Sequence, residues 1–428
     1  MPTRTLRSRR QAPGAKATVL PAAAPAPAKK AAREKAKGLT QVEGVLLKPL
    51  VGEVVCGIYP FRTLPDVKRN QVIYFGYDSC SNAAIFILDC AARTSIKLTG
   101  DDMNFISPDG TLVDKEFPDL IYTSAVLIYT GQDRLVLSFG GSPFTGKEIT
   151  TAVSSLFLFN IDKREWTEVP PPTEGAPLPR VSGTGIWKDS RFYVFGGRVL
   201  IGQGANAKLE DARSYSILEV GGFAGDDWTT IELKWIFSDK EYPGGSPYVG
   251  FMGGFGFCSD GKEVLLLPGA PEEVDTVSYK AYRPLKYNFE CDSFTFPNLG
   301  DFQKLPDNVD WYHAMPPTVG HPLLAKLRPF KGLDPAGKPR TVSFLRLMRT
   351  SSTREGTKKG SLPYISSLWA VSVAQDIQIQ EVGICVQVDR LSIANKADFY
   401  SFATTGNKMY FVGKSTVKNN ERGYLAEV

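Results

Sequence analysis

The chain is poor in the residues that most metal and redox chemistry needs. It has two histidines, His313 and His321, and six cysteines scattered over 428 residues with no CxxC pair. Cys56, Cys80, Cys90, Cys258, Cys291 and Cys385 mostly sit in or beside apolar runs, which predicts reduced, buried thiols rather than a zinc site or a disulfide framework. No window approaches the roughly 18 uninterrupted apolar residues of a membrane span. The first residues, MPTRTLRSRRQAPGAK, stay basic and polar where a secretory leader needs an apolar core. Also missing are a GxxxxGK[ST] phosphate loop, a GxSxG elbow and an HExxH pair. These absences predict a soluble chain of the cytoplasm or nucleus without metal, cofactor or membrane partner, and they name no reaction.

Positive charge is scarce over most of the length. The net charge is +5, but residues 1–38 hold 10 Lys and Arg against one acid, a balance of +9. The rest has 40 basic and 44 acidic residues, a balance of −4, which argues against a body built to track phosphates. The stretch PAAAPAPAKKAAREKAKG cannot bury enough apolar surface to offset chain ordering, so residues 1–38 are predicted to be a disordered basic tail. Its two clusters, RTLRSRR and KKAAREKAK, fit a nuclear import signal, an arm for an acidic partner or nucleic acid, or a solubilising extension.

Residues 39–428 contain what the tail lacks. Short runs of Val, Ile, Leu, Phe and Tyr are broken by Gly, Pro, Asn and Asp, a pattern of strands and turns. The pattern repeats. RLVLSFGGSP at 134–143 is echoed by RFYVFGGRVL at 191–200, with the two Gly pairs 56 residues apart. Each is followed by a second strand, a turn and a Trp, as in SSLFLFNIDKREWTEV, where Phe159 and Trp166 lie seven apart, and in the segment leading to Trp228. Weaker copies follow Gly76 in NQVIYFGYDS, and GKEVLLLPGA, where Tyr287 and Phe294 keep the seven-residue spacing. Two more begin at RTVSFLRLMRT and NKMYFVGKST.

Each unit is entered by a further apolar strand, so one unit is a four-stranded antiparallel meander. A meander with one buried face and open edges cannot stand alone, and repetition at this period predicts packing around an axis as a β-propeller. The count is six blades. QVEGVLLKPL at 41–50 supplies the strand that the last unit lacks and would close the ring; a seventh unit within 297–340 is the structural alternative.

Gly-Gly after a strand, then an aromatic and a Trp seven apart, resembles the kelch repeat family. PLPRVSGTGIWKDSRFYVFGG at 177–197 is similar to a near-complete kelch opening, and the resemblance is concentrated over 134–232. Six units over 390 residues average 65, longer than the roughly 50 of kelch repeats, so the surplus is expected in loops. The resemblance implies structural roles for Gly76, Gly140, Gly141, Gly196, Gly197, Phe159, Trp166, Trp228, Tyr287 and Phe294, with glycines allowing close backbone approach and aromatics filling the space between blades.

Galactose oxidase, a kelch-like enzyme, holds copper with two His and two Tyr. Here both His fall in one Pro-rich stretch, DWYHAMPPTVGHPLL, expected to be loop, so that copper site is not predicted. SPDGTLVD at 107–114 resembles the Asp-box turn of sialidases but occurs once and lacks the following Trp; an Asp-Gly turn explains it.

Protein binding is the remaining expectation. In kelch-like blades the loops between second and third strands share a face with those joining blades. Here these are 142–153, 198–213, 350–363 and 414–422, and Arg198, Arg213, Arg354, Lys358 and Lys359 within them, with Arg349 just before the third, are candidate partner contacts. Arg180 is the sharpest candidate. In kelch relatives this Arg can meet acidic ligand groups at the channel mouth, and its other reading is a local hydrogen bond to blade backbone. The expectation is a monomeric scaffold or adaptor for another protein, with a propeller enzyme or a chromatin-associated protein as alternatives.

Overall fold

The computed structural model of the protein describes residues 40–52, 63–77, 83–118, 120–121, 123–143, 151–202, 207–221, 231–243, 255–257, 261–266, 285–298, 311–314, 318–319, 341–348, 364–373, 377–387, 397–405, 408–417 and 420–427. The chain divides into two units, Met1–Leu39 and Thr40–Val428, and the first lies outside the described residues. Among the described residues the second unit is all strand and turn, apart from a single 3-10 turn at Gly100–Asp102.

Five large sheets and two small ones account for the strands. The first runs antiparallel through Thr63–Asp66, Gln71–Tyr77, Ala83–Asp89 and Thr94–Leu98, with Val51–Gly52 added parallel at its outer edge. The second runs through Ser124–Thr130, Asp133–Phe139, Leu156–Asn160 and Glu165–Val169. Its outer edge is extended by the hairpin Asn104–Ile106 and Leu112–Val113, and the SPDGT turn is simply that hairpin's tip. The third is the meander Thr184–Lys188, Arg191–Phe195, Ser214–Gly221 and Glu232–Glu241. The fourth is Phe255–Phe257, Glu263–Leu266, Leu285–Asn288 and Ser293–Thr295.

The fifth joins Trp311–Ala314, Thr341–Met348, Tyr364–Val373 and Ile377–Gln387 to Thr40–Pro49, then to Asn420–Glu427, Lys408–Val417 and Ala397–Thr405. Thr40–Pro49 lies antiparallel to the C-terminal strand, with Leu47 opposite Ala426 and Pro49 opposite Tyr424. At the two ends of the unit, Thr63–Asp66 packs beside Ala397–Thr405, and the Tyr410 hydroxyl donates to Asn70 Oδ1 at 3.4 Å.

Apolar alternation decides how the sheets stack. In Asp133–Phe139, Val136 enters a core with Ile73, Ile85 and Phe159, facing the first sheet. Its neighbours Leu135, Leu137 and Phe139 enter another with Phe192, Val194 and Leu218, facing the third. Successive side chains of a strand point to opposite faces, so a strand buried on both sides reads as a continuous apolar run. A third core joins Tyr193, Phe195 and Tyr215 to Val264, Leu285 and Tyr287 of the fourth sheet. The first four sheets thus lie face to face in order, and each fully buried side chain contributes about 1.5–3 kcal/mol of transfer free energy.

Three expectations need correction. Residues 198–211 are not loose loop: Arg198–Ile201 and Lys208–Asp211 pair as a hairpin, and Arg180–Val181 adds a third strand. The stretch 414–422 is mostly strand, because Val417 lies opposite Asn420 and leaves a two-residue turn. His313 lies on Trp311–Ala314 opposite Arg346, since that segment supplies the edge strand for Thr341–Met348. His321 is outside the described residues. Within 297–340, both described strands, Trp311–Ala314 and Thr318–Val319, pair with Thr341–Met348.

Candidate functional site

The two Gly pairs mark one end of the second and third sheets. Gly140 has φ +71° and Gly197 has φ +86°, a region L side chains rarely adopt. A Cβ on Gly140 would stand 2.3 Å from the Arg180 carbonyl oxygen, and one on Gly197 would stand 2.4 Å from that of Val181. The Gly pairs therefore clear the path of the connector 180–183 as it passes from one sheet to the next. The Gly141 N–H donates to Arg180 O at 2.8 Å, and the Arg180 N–H donates to Val153 O at 3.2 Å. In both sheets the second Gly of the pair accepts from the returning chain, Val153 N–H to Gly141 O at 2.9 Å and Ala212 N–H to Gly197 O at 2.8 Å. Gly76 lies on Gln71–Tyr77 opposite Ala84.

Arg180 is 1% exposed and turns its guanidinium inward. It donates to Gly196 O at 2.7 Å, to Ser214 O at 3.1 Å and to Ser214 Oγ at 3.0 Å, and it pairs with Asp239 Oδ1 at 2.5 Å. Asp239 has φ +52° within Glu232–Glu241, where the ladder to Ser214–Gly221 shifts register, and its other oxygen accepts from Leu178 N–H. This guanidinium ties the connector to the second, third and fourth strands of its sheet. Its geometry is that of the backbone-bonded reading, and the side chain has no surface to offer a ligand. Asp239 and Ser214 complete the tie, and no spacing in the sequence signals either.

The other candidates divide. Arg213 is exposed, while Arg198 is half-buried and reaches Leu209 O. Arg349, Arg354, Lys358, Lys359 and Trp228 lie outside the described residues. On the hairpin that precedes Arg213, Lys208 and Glu210 pair with each other and Ile201 is exposed; Leu178, just before Arg180, is exposed as well.

The signature aromatics sit between sheets. Phe159 lies directly opposite Trp166, and Tyr287 opposite Phe294, so a seven-residue spacing is one cross-strand pair over a turn. Trp166 is 1% exposed and meets Phe105 at 4.7 Å and Phe117 at 5.8 Å between ring centroids, while Phe159 meets Phe75 of the first sheet at 5.4 Å. Between these two sheets is a cavity of about 20 Å³, lined by Phe75, Ala84, Phe117, Thr123, Ser138 and Phe159, with room for one water.

Two polar clusters close the opposite ends of these interfaces. Asp162 accepts from Arg134 at 2.8 Å and Arg69 at 2.7 Å. Burial pushes its carboxyl up, but the two guanidiniums outweigh that and hold it below the usual carboxylate range. Asp292 accepts from Tyr215 at 2.9 Å and Tyr287 at 2.7 Å on one oxygen and from Lys240 at 2.8 Å on the other. Its carboxyl is likewise held low against its burial, and burial together with this carboxylate drives both phenols far above their ordinary range. Cys90 is buried, and its thiol is pushed up to about 12, chiefly by desolvation. The shifts of Asp162, Asp292, Tyr215, Tyr287 and Cys90 all move away from the neutral range, which suits structural clasps. Among the described residues no three His, Cys, Asp or Glu side chains gather as a metal site.

No protein family's sequence profile matches the chain. No curated protein matches it either. Among solved structures, that of YjhT is similar at 13% identity and TM-score 0.43, over 88% of this chain and 96% of that one. The Trypanosoma rangeli sialidase with 2,3-difluorosialic acid is similar at 9% identity and TM-score 0.41, over 91% of this chain. The same sialidase with the inhibitor DANA gives 10% and 0.39. The chain spans little more than half of these sialidase chains, 57% and 58%. At these values no functional residue is carried across.

Proposed function

We propose that residues 40–428 form a six-bladed kelch-type propeller closed by Thr40–Pro49, and that it acts as a protein-interaction module through the end where the Gly pairs turn. The closed-ring reading is supported by the pairing of Leu47 with Ala426 and by the packing of Thr63–Asp66 beside Ala397–Thr405. The partner is another protein. The observation that carries the interaction reading is the three-stranded sheet of Arg180–Val181, Arg198–Ile201 and Lys208–Asp211. It orders the described part of a stretch that reads as loop in the sequence, with Ile201 exposed on the sheet and Leu178 and Arg213 exposed on the chain beside it. A preordered surface that mixes apolar side chains with an arginine loses little conformational entropy on binding and suits a protein partner.

The test is affinity capture from native extract with the full chain and with the double variant Ile201→Asp, Arg213→Glu. Exposed positions of this kind change stability by within about 0.5 kcal/mol, so the ring stays folded, as a thermal melt checks. A stoichiometric partner lost only in the double variant is the expected result. Equal capture by both chains overturns the assignment of this surface. Arg180→Ala is the wrong probe, because it removes a buried tie.

A further inference from the structure

Thr40–Pro49 has two different neighbours. Its first part runs parallel to Ile377–Gln387, with Thr40 opposite Val382, Val42 opposite Ile384 and Leu46 opposite Gln387. Its last part runs antiparallel to Asn420–Glu427, from Leu47 opposite Ala426 to Pro49 opposite Tyr424. The parallel ladder has a register shift between Val42 and Val45, and the neighbour changes from Gln387 at Leu46 to Ala426 at Leu47. One short strand therefore satisfies the outer backbone edge of two meanders, Trp311–Gln387 and Ala397–Glu427, and fuses them into the nine-stranded sheet. The first and second sheets also carry added strands on their outer edges, Val51–Gly52 and the hairpin from Asn104–Ile106, but among the described residues none of these pairs with a second meander as well.

We infer that Thr40–Pro49 is a strap that makes the last two meanders one cooperative unit, released together when the strap leaves. The inference rests on the closed-ring reading. An unpaired sheet edge exposes a row of N–H and C=O groups, and parallel pairing is slightly weaker per residue than antiparallel. A strand of ten residues held along two successive edges has too few bonds to either edge to stay when the other half is lost. Opening then spreads through both meanders as a single event, the behaviour of one cooperative folding unit. In sequence, Arg349, Arg354, Lys358 and Lys359 fall between Thr341–Met348 and Tyr364–Val373, two strands of the strapped pair.

Hydrogen exchange read by mass spectrometry on the full chain tests this, with Val42→Pro in the first part of the strap, Leu47→Pro in the last, and the corresponding alanines as controls. The strap predicts that either proline speeds exchange in both 377–387 and 420–427 by about tenfold or more, the loss of one ladder hydrogen bond, while 124–169 is unchanged. If Val42→Pro affects only 377–387 and Leu47→Pro only 420–427, the strap is overturned and the pairing stands. If neither affects either segment, the closed-ring reading itself fails. Should the prolines prevent folding, exchange of the unaltered chain in low urea decides. Convergence of 377–387 and 420–427 on one opening isotherm, distinct from that of 124–169, supports the strap; separate isotherms overturn it.

Discussion

The interface between the first and second sheets and that between the third and fourth are built on the same hairpin but stabilised differently. At the first, Phe159 and Trp166 pack among Phe75, Phe105 and Phe117, and the polar end is an ion cluster in which Arg134, 6% exposed, meets Asp162 and Gln71. At the second, Tyr287 and Phe294 pack among Tyr193, Phe195, Tyr215 and Tyr242, and the polar end is one carboxylate, Asp292, gathering two phenols and a lysine. The first interface separates its apolar filling from its charges. In the second, the same tyrosine rings pack and hydrogen-bond at once, so its clasp needs no buried guanidinium and no separate ion cluster.

That contrast can be tested by cutting each interface where it is strongest. Trp166→Ala should have the largest effect, a loss of about 3–5 kcal/mol, because a fully buried ring leaves a cavity its stacked neighbours cannot fill. Its indole N–H has no acceptor among the described residues, so the loss is one of packing, and Trp166→Phe should recover much of it. A denaturant midpoint that barely moves in Trp166→Ala would show that this interface does not depend on its aromatic filling. Tyr287→Phe keeps the ring and removes one hydroxyl, and should cost about 0.5–1.5 kcal/mol. Since Tyr215 and Tyr287 donate to the same oxygen, the double change to Phe should depart from additivity, which a double-mutant cycle measures.

The smallest effect is a pH dependence. Asp292 is held below its ordinary pKa in the folded state, so its contribution is present above about pH 4 and is lost as pH falls through the lower folded value. Asp292→Asn should flatten that acid limb in thermal melts between about pH 4 and pH 2 without altering the curve near neutrality. An unchanged acid limb would mean that Asp292 is not a clasp.

Much of the architecture was readable because it is periodic. The Gly pairs, the apolar runs and the seven-residue aromatic spacing each arise from a local need, a positive φ or a cross-strand pair, and local needs leave local marks. A further mark went unused. Asp89, Asn160 and Asn288 each cap the turn after a third strand by accepting from a backbone N–H two or three residues on, to Ala92, Lys163 and Glu290. Each is followed by a buried residue, Cys90, Ile161 or Phe289, whose own N–H donates back to the preceding turn at Asn70, Arg134 or Lys262. An Asx and an apolar neighbour at these positions register the repeats even where the glycines have been lost.

The surroundings of Arg180 were much less readable. Arg180 has the same sequence context whether it faces a channel or a carboxylate, and only Asp239, placed 59 residues later at a shifted ladder, turns it inward. The stretch 198–213 looked like loop because its polar tip hides a hairpin that is held from outside by Arg180–Val181.

By itself the sequence determined that this chain would be short strands joined by turns, repeated, with its excess of positive charge confined to residues 1–38. Those outcomes depend on propensity, alternation and charge, which act between near neighbours. The tertiary structure alone decided that Arg180 is a tie rather than a ligand contact, that Asp292 gathers phenols from two sheets, and that Thr40–Pro49 serves two meanders more than 300 residues away. Each of these depends on groups far apart in the chain meeting at hydrogen-bond distance, and such meetings leave no pattern in the order of residues.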